Sequence, residues 1–234
     1  MKGSLMSIPI LVLLWISTSC THSPILPKSD KIWLHRANRI EKAQQFQYDY
    51  AGLEIDVFFD DSTGTFFVKH DATAPSDTPL EQWCQALDNR SNLGLWFDFK
   101  NLNERNCDAA SSRLALLRER YQLNGTLYVE SAAYHQLQAF RNAGFLTSFY
   151  LPEFDNQQEG SELCLHHVET IQDAIDSGVD ALSGTELQYD FIKEHFPEQS
   201  LLIWTVRIEP EYQRKVFDHV GGDHLVKVLL LPIE

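Results

Sequence analysis

Cationic side chains are scarce in this chain. Lysine and arginine together number 19 against 33 aspartates and glutamates, giving a formal net charge of −14. A surface this acidic does not attract a nucleic-acid backbone or an anionic bilayer, so nucleic acid is excluded as a partner class. No internal repeat or low-complexity tract interrupts the sequence. Long apolar runs are missing too. The stretch from Ile8 to Ile16 is only about nine residues, and a spanning helix needs about 20.

That short stretch follows Lys2 and precedes the small residues Ser17, Thr18, Ser19 and Cys20. A basic start, a brief apolar segment and small residues form the pattern of a secretory signal peptide, here over 1–19. Cys20 after Thr18-Ser19 resembles a bacterial lipoprotein cleavage site, which makes Cys20 the lipidation candidate, although Ser17 stands where such sites usually carry leucine. The expected location is the bacterial cell envelope, with the protein held on the membrane by a lipid anchor and facing the periplasm or exterior; plain secretion is the alternative. Residues 20–30 contain Pro24 and Pro27 and read as a tether. Cysteine is also sparse, and Cys84, Cys107 and Cys164 remain beyond Cys20. An exported protein can oxidise one pair, and Cys84 with Cys107 is the favoured one; buried free thiols are the alternative.

What is plentiful is alternation. Strand-like runs at 32–35, 53–59, 93–99, 126–130, 147–151, 180–183, 201–206 and 225–230 are separated by helix-like patterns at 39–48, 80–87, 108–121, 132–143, 168–176, 189–195 and 211–219. Eight strands with helices between them predict an α/β fold, a (β/α)8 TIM barrel, as a single compact domain over 31–234. Asn124-Gly125, Asn142-Ala143-Gly144 and Ser177-Gly178 stand where helices should end in a left-handed cap. Asp60-Asp61-Ser62-Thr63-Gly64 reads as a hairpin turn that extends the second barrel strand and brings His70 back over the mouth.

The chemistry-bearing residues cluster at those strand ends: His35-Arg36-Ala37-Asn38, Glu54-Ile55-Asp56, His70-Asp71 and Asp98-Phe99-Lys100. Glu54 and Asp56 are two apart on a strand and share a face. Two such carboxylates repel unless a cation or proton intervenes. With Asp98 as a third oxygen donor, one hard divalent cation, Mg²⁺ or Ca²⁺, is the natural cofactor. Lys100 presents an ammonium to the same mouth, and an ammonium beside a metal suits phosphate chemistry. His35 and His70 supply the acid and base that phosphodiester cleavage requires near neutral pH. Arg36 offers a bidentate phosphate contact.

Together these residues resemble the glycerophosphodiester phosphodiesterase superfamily, including its small branch of venom-type phospholipase D (sphingomyelinase D) enzymes. The resemblance rests on His35-Arg36-x-Asn38, Glu54-x-Asp56, His70-Asp71, Asp98-x-Lys100 and Trp204-Thr205-Val206. It implies that His35 and His70 are catalytic and that Glu54, Asp56 and Asp98 hold the metal, with Arg36, Asn38, Lys100 and Trp204 binding substrate. The block 83–102 also resembles the menorin-type relatives of that superfamily. Three departures stand out. Ala37 replaces the usual glycine, Arg207 replaces the usual asparagine, and the 27 residues between His70 and Asp98 lack the insertion of the longer bacterial enzymes. The substrate implied is a small phosphodiester, of glycerophosphodiester or lysolipid type, and the protein is expected to be a monomer.

Each motif alone has an ordinary reading: a loop histidine, an exposed acidic pair, an Asx turn, an ion pair at a strand end. Their joint order favours catalysis. Glu130 and Glu153 end strands four and five, and each either meets a substrate headgroup or favours the positive end of the following helix. His166-His167 is no chelating pair, because adjacent helical residues do not face one another. The rival class is a non-catalytic ligand-binding barrel that retains the ancestral site. Glycoside hydrolysis by a carboxylate pair ranks behind, because it leaves both histidines and Lys100 idle.

Overall fold

The computed structural model describes residues 26, 29–73, 78–152 and 162–233. The proposed signal peptide, Cys20, most of the tether, Glu153 and the side chain of Cys164 lie outside the described residues. Nine strands form one sheet: β1 (Ile32–Leu34), β2 (Gly52–Asp60), β3 (Thr65–Val68), β4 (Gly94–Phe99), β5 (Leu127–Ser131), β6 (Leu146–Tyr150), β7 (Ala181–Thr185), β8 (Leu201–Trp204) and β9 (Val226–Leu231). Eight of them run parallel, and β1 pairs with both β9 and β2, which closes the barrel. β3 is the exception; it lies antiparallel on the far half of β2, with Val57 opposite Val68 and Asp60 opposite Thr65.

Among the described residues, seven α-helices stand between the barrel strands: α1 (Ile40–Phe46), α2 (Leu80–Ala86), α3 (Cys107–Tyr121), α4 (Leu137–Asn142), α5 (Glu162–Asp176), α6 (Tyr189–His195) and α7 (Pro210–Val220). The predicted helix over 132–143 is shorter: a 3-10 turn at Tyr134–Gln136 precedes α4. The Ser131 hydroxyl accepts the Ala133 N–H at 3.2 Å, which holds the chain in a bend before the helix. α5 begins six residues earlier than its periodicity indicated.

Two-residue alternation along the strands divides the core. One set of side chains, among them Leu34, Ile55, Phe97, Val129, Leu182, Ile203 and Leu229, packs outward with Trp83, Leu114, Phe140 and Ile171 from the helices. The alternate set, Trp33, Trp96, Tyr128, Ala181, Leu202, Val228 and Leu230, fills the barrel itself. Each buried aliphatic side chain contributes about 1.5–3 kcal/mol. Trp33 dominates the interior because two strands make room for it. A Cβ at Gly52 or at Gly94 would stand 2.3 Å from its indole.

Two sequence expectations need correction. Cys84 and Cys107 are both free thiols, so the favoured disulfide between them is absent. Cys84 is fully buried in apolar packing, which pushes its thiol up to about 12 and leaves it inert. Gly125 is not a left-handed cap; that conformation falls on Gln122 (φ 55°), which ends α3. Glycine is needed at 125 because a Cβ there would lie 2.1 Å from the Leu93 carbonyl oxygen. Gly144 and Gly178 do adopt positive φ, at 82° and 93°. The 60–64 turn forms as expected, with the Asp60 carboxylate accepting from the Ser62 N–H at 2.9 Å and from the Thr63 hydroxyl at 2.9 Å.

Candidate active site

β2, β4 and β5 run in register, so Asp56, Asp98 and Glu130 are neighbours across three strands. Strand parity turns Glu54 inward as well, one pleat below Asp56. One carboxylate oxygen from each of Glu54, Asp56 and Asp98 lies within 4.8 Å of the others. Glu54 and Asp56 are almost fully buried, at 2% and 1% exposure. Burial, then the charges of Asp56 and Asp98, raises the Glu54 carboxyl well above the usual range. Asp98 is raised too, chiefly by burial. Three carboxylates this close, two of them raised by burial, form a set of hard oxygen donors suited to a divalent cation.

Lys100 supplies the protein's own counter-charge. Its Nζ lies 2.9 Å from Asp56 Oδ1 and also donates to Asp98 Oδ2. These two carboxylates raise the Lys100 ammonium's pKa despite its partial burial, so it stays charged.

The loop after β1 is built around the same carboxylates. Arg36 adopts a left-handed backbone (φ 53°), unusual for a residue with a side chain. That turn aims its N–H at Glu54 Oε2, 2.7 Å away. The Ala37 N–H donates to the Glu54 carbonyl at 2.8 Å, and the Trp83 indole N–H donates to the Ala37 carbonyl at 2.9 Å. The Arg36 side chain is exposed at the rim. Asn38 grips Asp56 twice: its amide donates to Oδ2 at 2.5 Å, and its carbonyl accepts the Asp56 N–H at 2.9 Å. Asn38 therefore orients a proposed metal ligand.

His35 is buried at the end of β1, with Nε2 3.8 Å from Glu54 Oε2. Its Nδ1 stands 3.0 Å from the Thr205 carbonyl oxygen, so Nδ1 carries the proton and Nε2 keeps its lone pair toward the carboxylates. Burial, then the Arg36 charge, lowers its pKa to about 4, so His35 is neutral at pH 7. His70 arrives on the hairpin as expected. The Lys69 N–H donates to the Asp56 carbonyl at 3.1 Å, which sets the following residue at the rim. The His70 imidazole is half-exposed, with Nδ1 3.7 Å from Asp71. Trp204, half-buried, lies 6.0 Å from the His35 ring and stacks on Tyr150 at 6.2 Å.

The structure adds Glu130 to this group. It is 2% exposed, and burial followed by the Asp98 charge raises its carboxyl well above the usual range. Ser183 lies close enough to favour the carboxylate, yet without bonding geometry. Glu130 Oε2, Ser148 Oγ and Ser183 Oγ are buried with no hydrogen-bond partner. A Glu-Ser pair closing a strand was the available sequence signal. Arg207, by contrast, turns away from the site to pair with Glu209 at 3.1 Å and stack on Tyr212.

No family model matches the sequence, and no curated protein matches it. Solved structures share the fold. A glycerophosphodiester phosphodiesterase from Parabacteroides distasonis is 16% identical, with 88% of this chain and 94% of that one covered at a TM-score of 0.59. A phosphodiesterase from Oleispira antarctica, solved in complex with the product sn-glycerol-3-phosphate, is 10% identical, covering 89% and 93% at 0.63. A calcium-dependent phosphoinositol-specific phospholipase C from Pseudomonas sp. is 11% identical, covering 86% and 87% at 0.54. The fold is therefore that of the barrel shared by glycerophosphodiesterases and phosphoinositol-specific phospholipases C.

Proposed function

We propose that this protein cleaves a phosphodiester by acid–base catalysis with His35 and His70, while Glu54, Asp56 and Asp98 hold one divalent cation, Mg²⁺ or Ca²⁺. The observation that carries the reading is the convergence of two buried carboxylates and the partly buried Asp98 within 4.8 Å, beside a neutral His35. The donor set is all oxygen, and burial raises the Glu54 and Asp98 carboxyls, so it fits a hard cation. Such a cation, when bound, supplies Lewis-acid polarisation of a phosphoryl oxygen.

The residues of the chain do the rest. Lys100 neutralises a non-bridging oxygen, and Trp204 walls the pocket. One imidazole takes the proton of the attacking hydroxyl, and the other gives a proton to the leaving alkoxide; each is worth about 10²–10⁴ in rate. His35 Nε2, unprotonated and inward-facing, suits the first role, and the half-exposed His70 suits the second. Water as nucleophile yields a hydrolysed monoester; a hydroxyl of the substrate itself yields a cyclic phosphate. Glycerophosphodiesters and lysolipid-type diesters are the proposed substrates, a choice supported by the product bound to the Oleispira structure. Calcium dependence in the Pseudomonas structure supports Ca²⁺ as one of the two candidates. A lipid anchor at Cys20, and with it an envelope location, remains part of the proposal, as does a monomeric state.

A ligand-binding barrel without catalysis is the second reading. Lys100 already neutralises Asp56 and Asp98, and the carboxylate nearest His70 is Asp71 rather than the cluster. The deciding experiment is turnover of glycerophosphodiesters, lysophospholipids and a chromogenic diester with Mg²⁺, Ca²⁺ or chelator. Metal-dependent turnover lost in both His35→Ala and Glu54→Ala supports the enzyme. A folded, cation-binding protein inert across the panel supports the binding barrel, and a protein that binds neither cation overturns the site.

A further inference from the structure

Glu130, Ser148 and Ser183 point into the barrel from three consecutive strands. Glu130 and Ser148 are register partners on β5 and β6, and Ser183 lies on β7 opposite Tyr150. Their parity is that of the interior. Tyr128 and Ala181, two residues before Glu130 and Ser183, belong to the packed barrel centre, while the intervening Val129 and Leu182 face the helices. Tyr150 on β6 and Trp204 on β8 stack 15° from parallel across β7, which roofs the position of Ser183. The Trp204 indole N–H is likewise buried without a partner.

Four buried polar groups on adjacent strands without a geometric hydrogen bond are unusual inside a protein, because burial costs each its hydration. Nothing in the chemistry proposed above uses Glu130 or either serine. They sit on the β5–β7 side of Asp98, beside the place the phosphate would occupy. A carboxyl, two hydroxyls and an indole N–H ask for a partner that both donates and accepts hydrogen bonds. Alcohol hydroxyls do both.

We propose that Glu130, Ser148 and Ser183 form a specificity-determining ledge that binds the hydroxyl-bearing part of the substrate under the Tyr150–Trp204 pair. The proposal rests on the phosphodiesterase reading only for the position of the phosphate. A ligand carrying a phosphate and vicinal hydroxyls reaches the ledge; one carrying the phosphate alone does not. Entry of the hydroxyls requires the two half-buried rings to part.

The test measures binding of sn-glycerol 3-phosphate and of methyl phosphate to the full chain by calorimetry with Ca²⁺ present, for the wild type and for Glu130→Ala, Glu130→Gln and Ser183→Ala. The quantity read is the ratio of the two dissociation constants. Wild type prefers glycerol 3-phosphate; Glu130→Ala reduces that preference at least tenfold, Ser183→Ala about threefold, and Glu130→Gln, which keeps a carbonyl acceptor, less than alanine does. An unchanged ratio overturns the ledge, including the case in which both ligands weaken together because Glu130 serves only the cation. A ledge that holds buried water alone gives that same unchanged ratio. Binding that follows the predicted ratio in a protein without turnover on any diester keeps the ledge and removes the enzyme; turnover with an unchanged ratio does the reverse.

Discussion

His35 Nδ1 lies 3.0 Å from the Thr205 carbonyl oxygen, joining the end of β1 to the segment that follows β8. This one bond selects the tautomer that leaves Nε2 facing the carboxylates, and burial keeps the ring neutral, with a pKa of about 4.

The pH dependence of stability follows from that value. The folded pKa lies below the ordinary 6.5, so the unfolded chain takes up the proton first as pH falls. The contribution of neutral His35 is therefore full above about pH 6.5 and is lost between 6.5 and about 4, a change on the order of 3 kcal/mol. Urea unfolding of wild type and His35→Asn at pH 7.5 and 4.5 should show the wild type losing more stability on acidification. Parallel losses would place the ring's titration elsewhere. With the cation kept saturating at each pH, turnover, where the ring must be neutral, should hold to below pH 5.

Lys100 occupies the counter-charge position between Asp56 and Asp98, so its replacement should cost more without a cation than with one. Lys100→Met in chelator leaves two carboxylates unpaired and should lower stability by about 1–3 kcal/mol. Saturating Ca²⁺ should recover part of that loss. An equal loss in both conditions would mean that lysine and cation do not share the same carboxylates.

Cation binding to the wild type should release protons, because burial holds the Glu54 and Asp98 carboxyls above their usual range. Affinity should consequently rise with pH and level off once those carboxyls are ionised. Calorimetry in two buffers of different ionisation enthalpy measures the protons released. At a hundred times the dissociation constant, the cation should stabilise the fold by about 2.7 kcal/mol. Affinity independent of pH between 5 and 8 would contradict the arrangement.

The barrel floor makes a prediction about stability alone. Gly52→Ala drives a methyl into the Trp33 indole and should destabilise by about 1–3 kcal/mol, and Trp33→Ala should cost about 3–5 kcal/mol through the cavity it leaves. The double variant should lose less than the sum, because each change removes the other's obstacle. Chemical denaturation of the three variants provides the check. Simple additivity would show that the close approach of 52 to the indole carries no energy.

The barrel and the hairpin were legible because short strand-like, apolar-rich runs alternate with helical patterns, and Asp60 to Gly64 carry turn chemistry. Glu54 and Asp56 were legible because parity puts them on one face, and Asp98 because it ends the next barrel strand, where register sets it beside Asp56. Backbone partners were not. The Thr205 carbonyl that fixes His35 bears no signature in a side chain. Asn38 was expected at the substrate, and its two hydrogen bonds to Asp56 were not foreseen, since only the curvature of the Arg36 turn decides which way it faces. Ser148 and Ser183 were invisible because a lone serine in a strand has no periodic meaning. The missing disulfide has the same root: cysteine spacing says nothing about whether two thiols meet.

β1 starts at the closed floor of the barrel and points toward the mouth. Lys31, just before it, bonds the Gly221 and Asp223 carbonyls in the turn that leads into β9 from that same floor. The described chain therefore enters the barrel at its base. If Cys20 bears a lipid, Leu26, six positions on, is already buried in the core and keeps the anchor close to the molecule. The protein then stands on the bilayer like a cup on its foot, its opening turned to the surrounding fluid. Diesters drifting in from outside reach it directly, whereas those of the supporting leaflet require it to tip over.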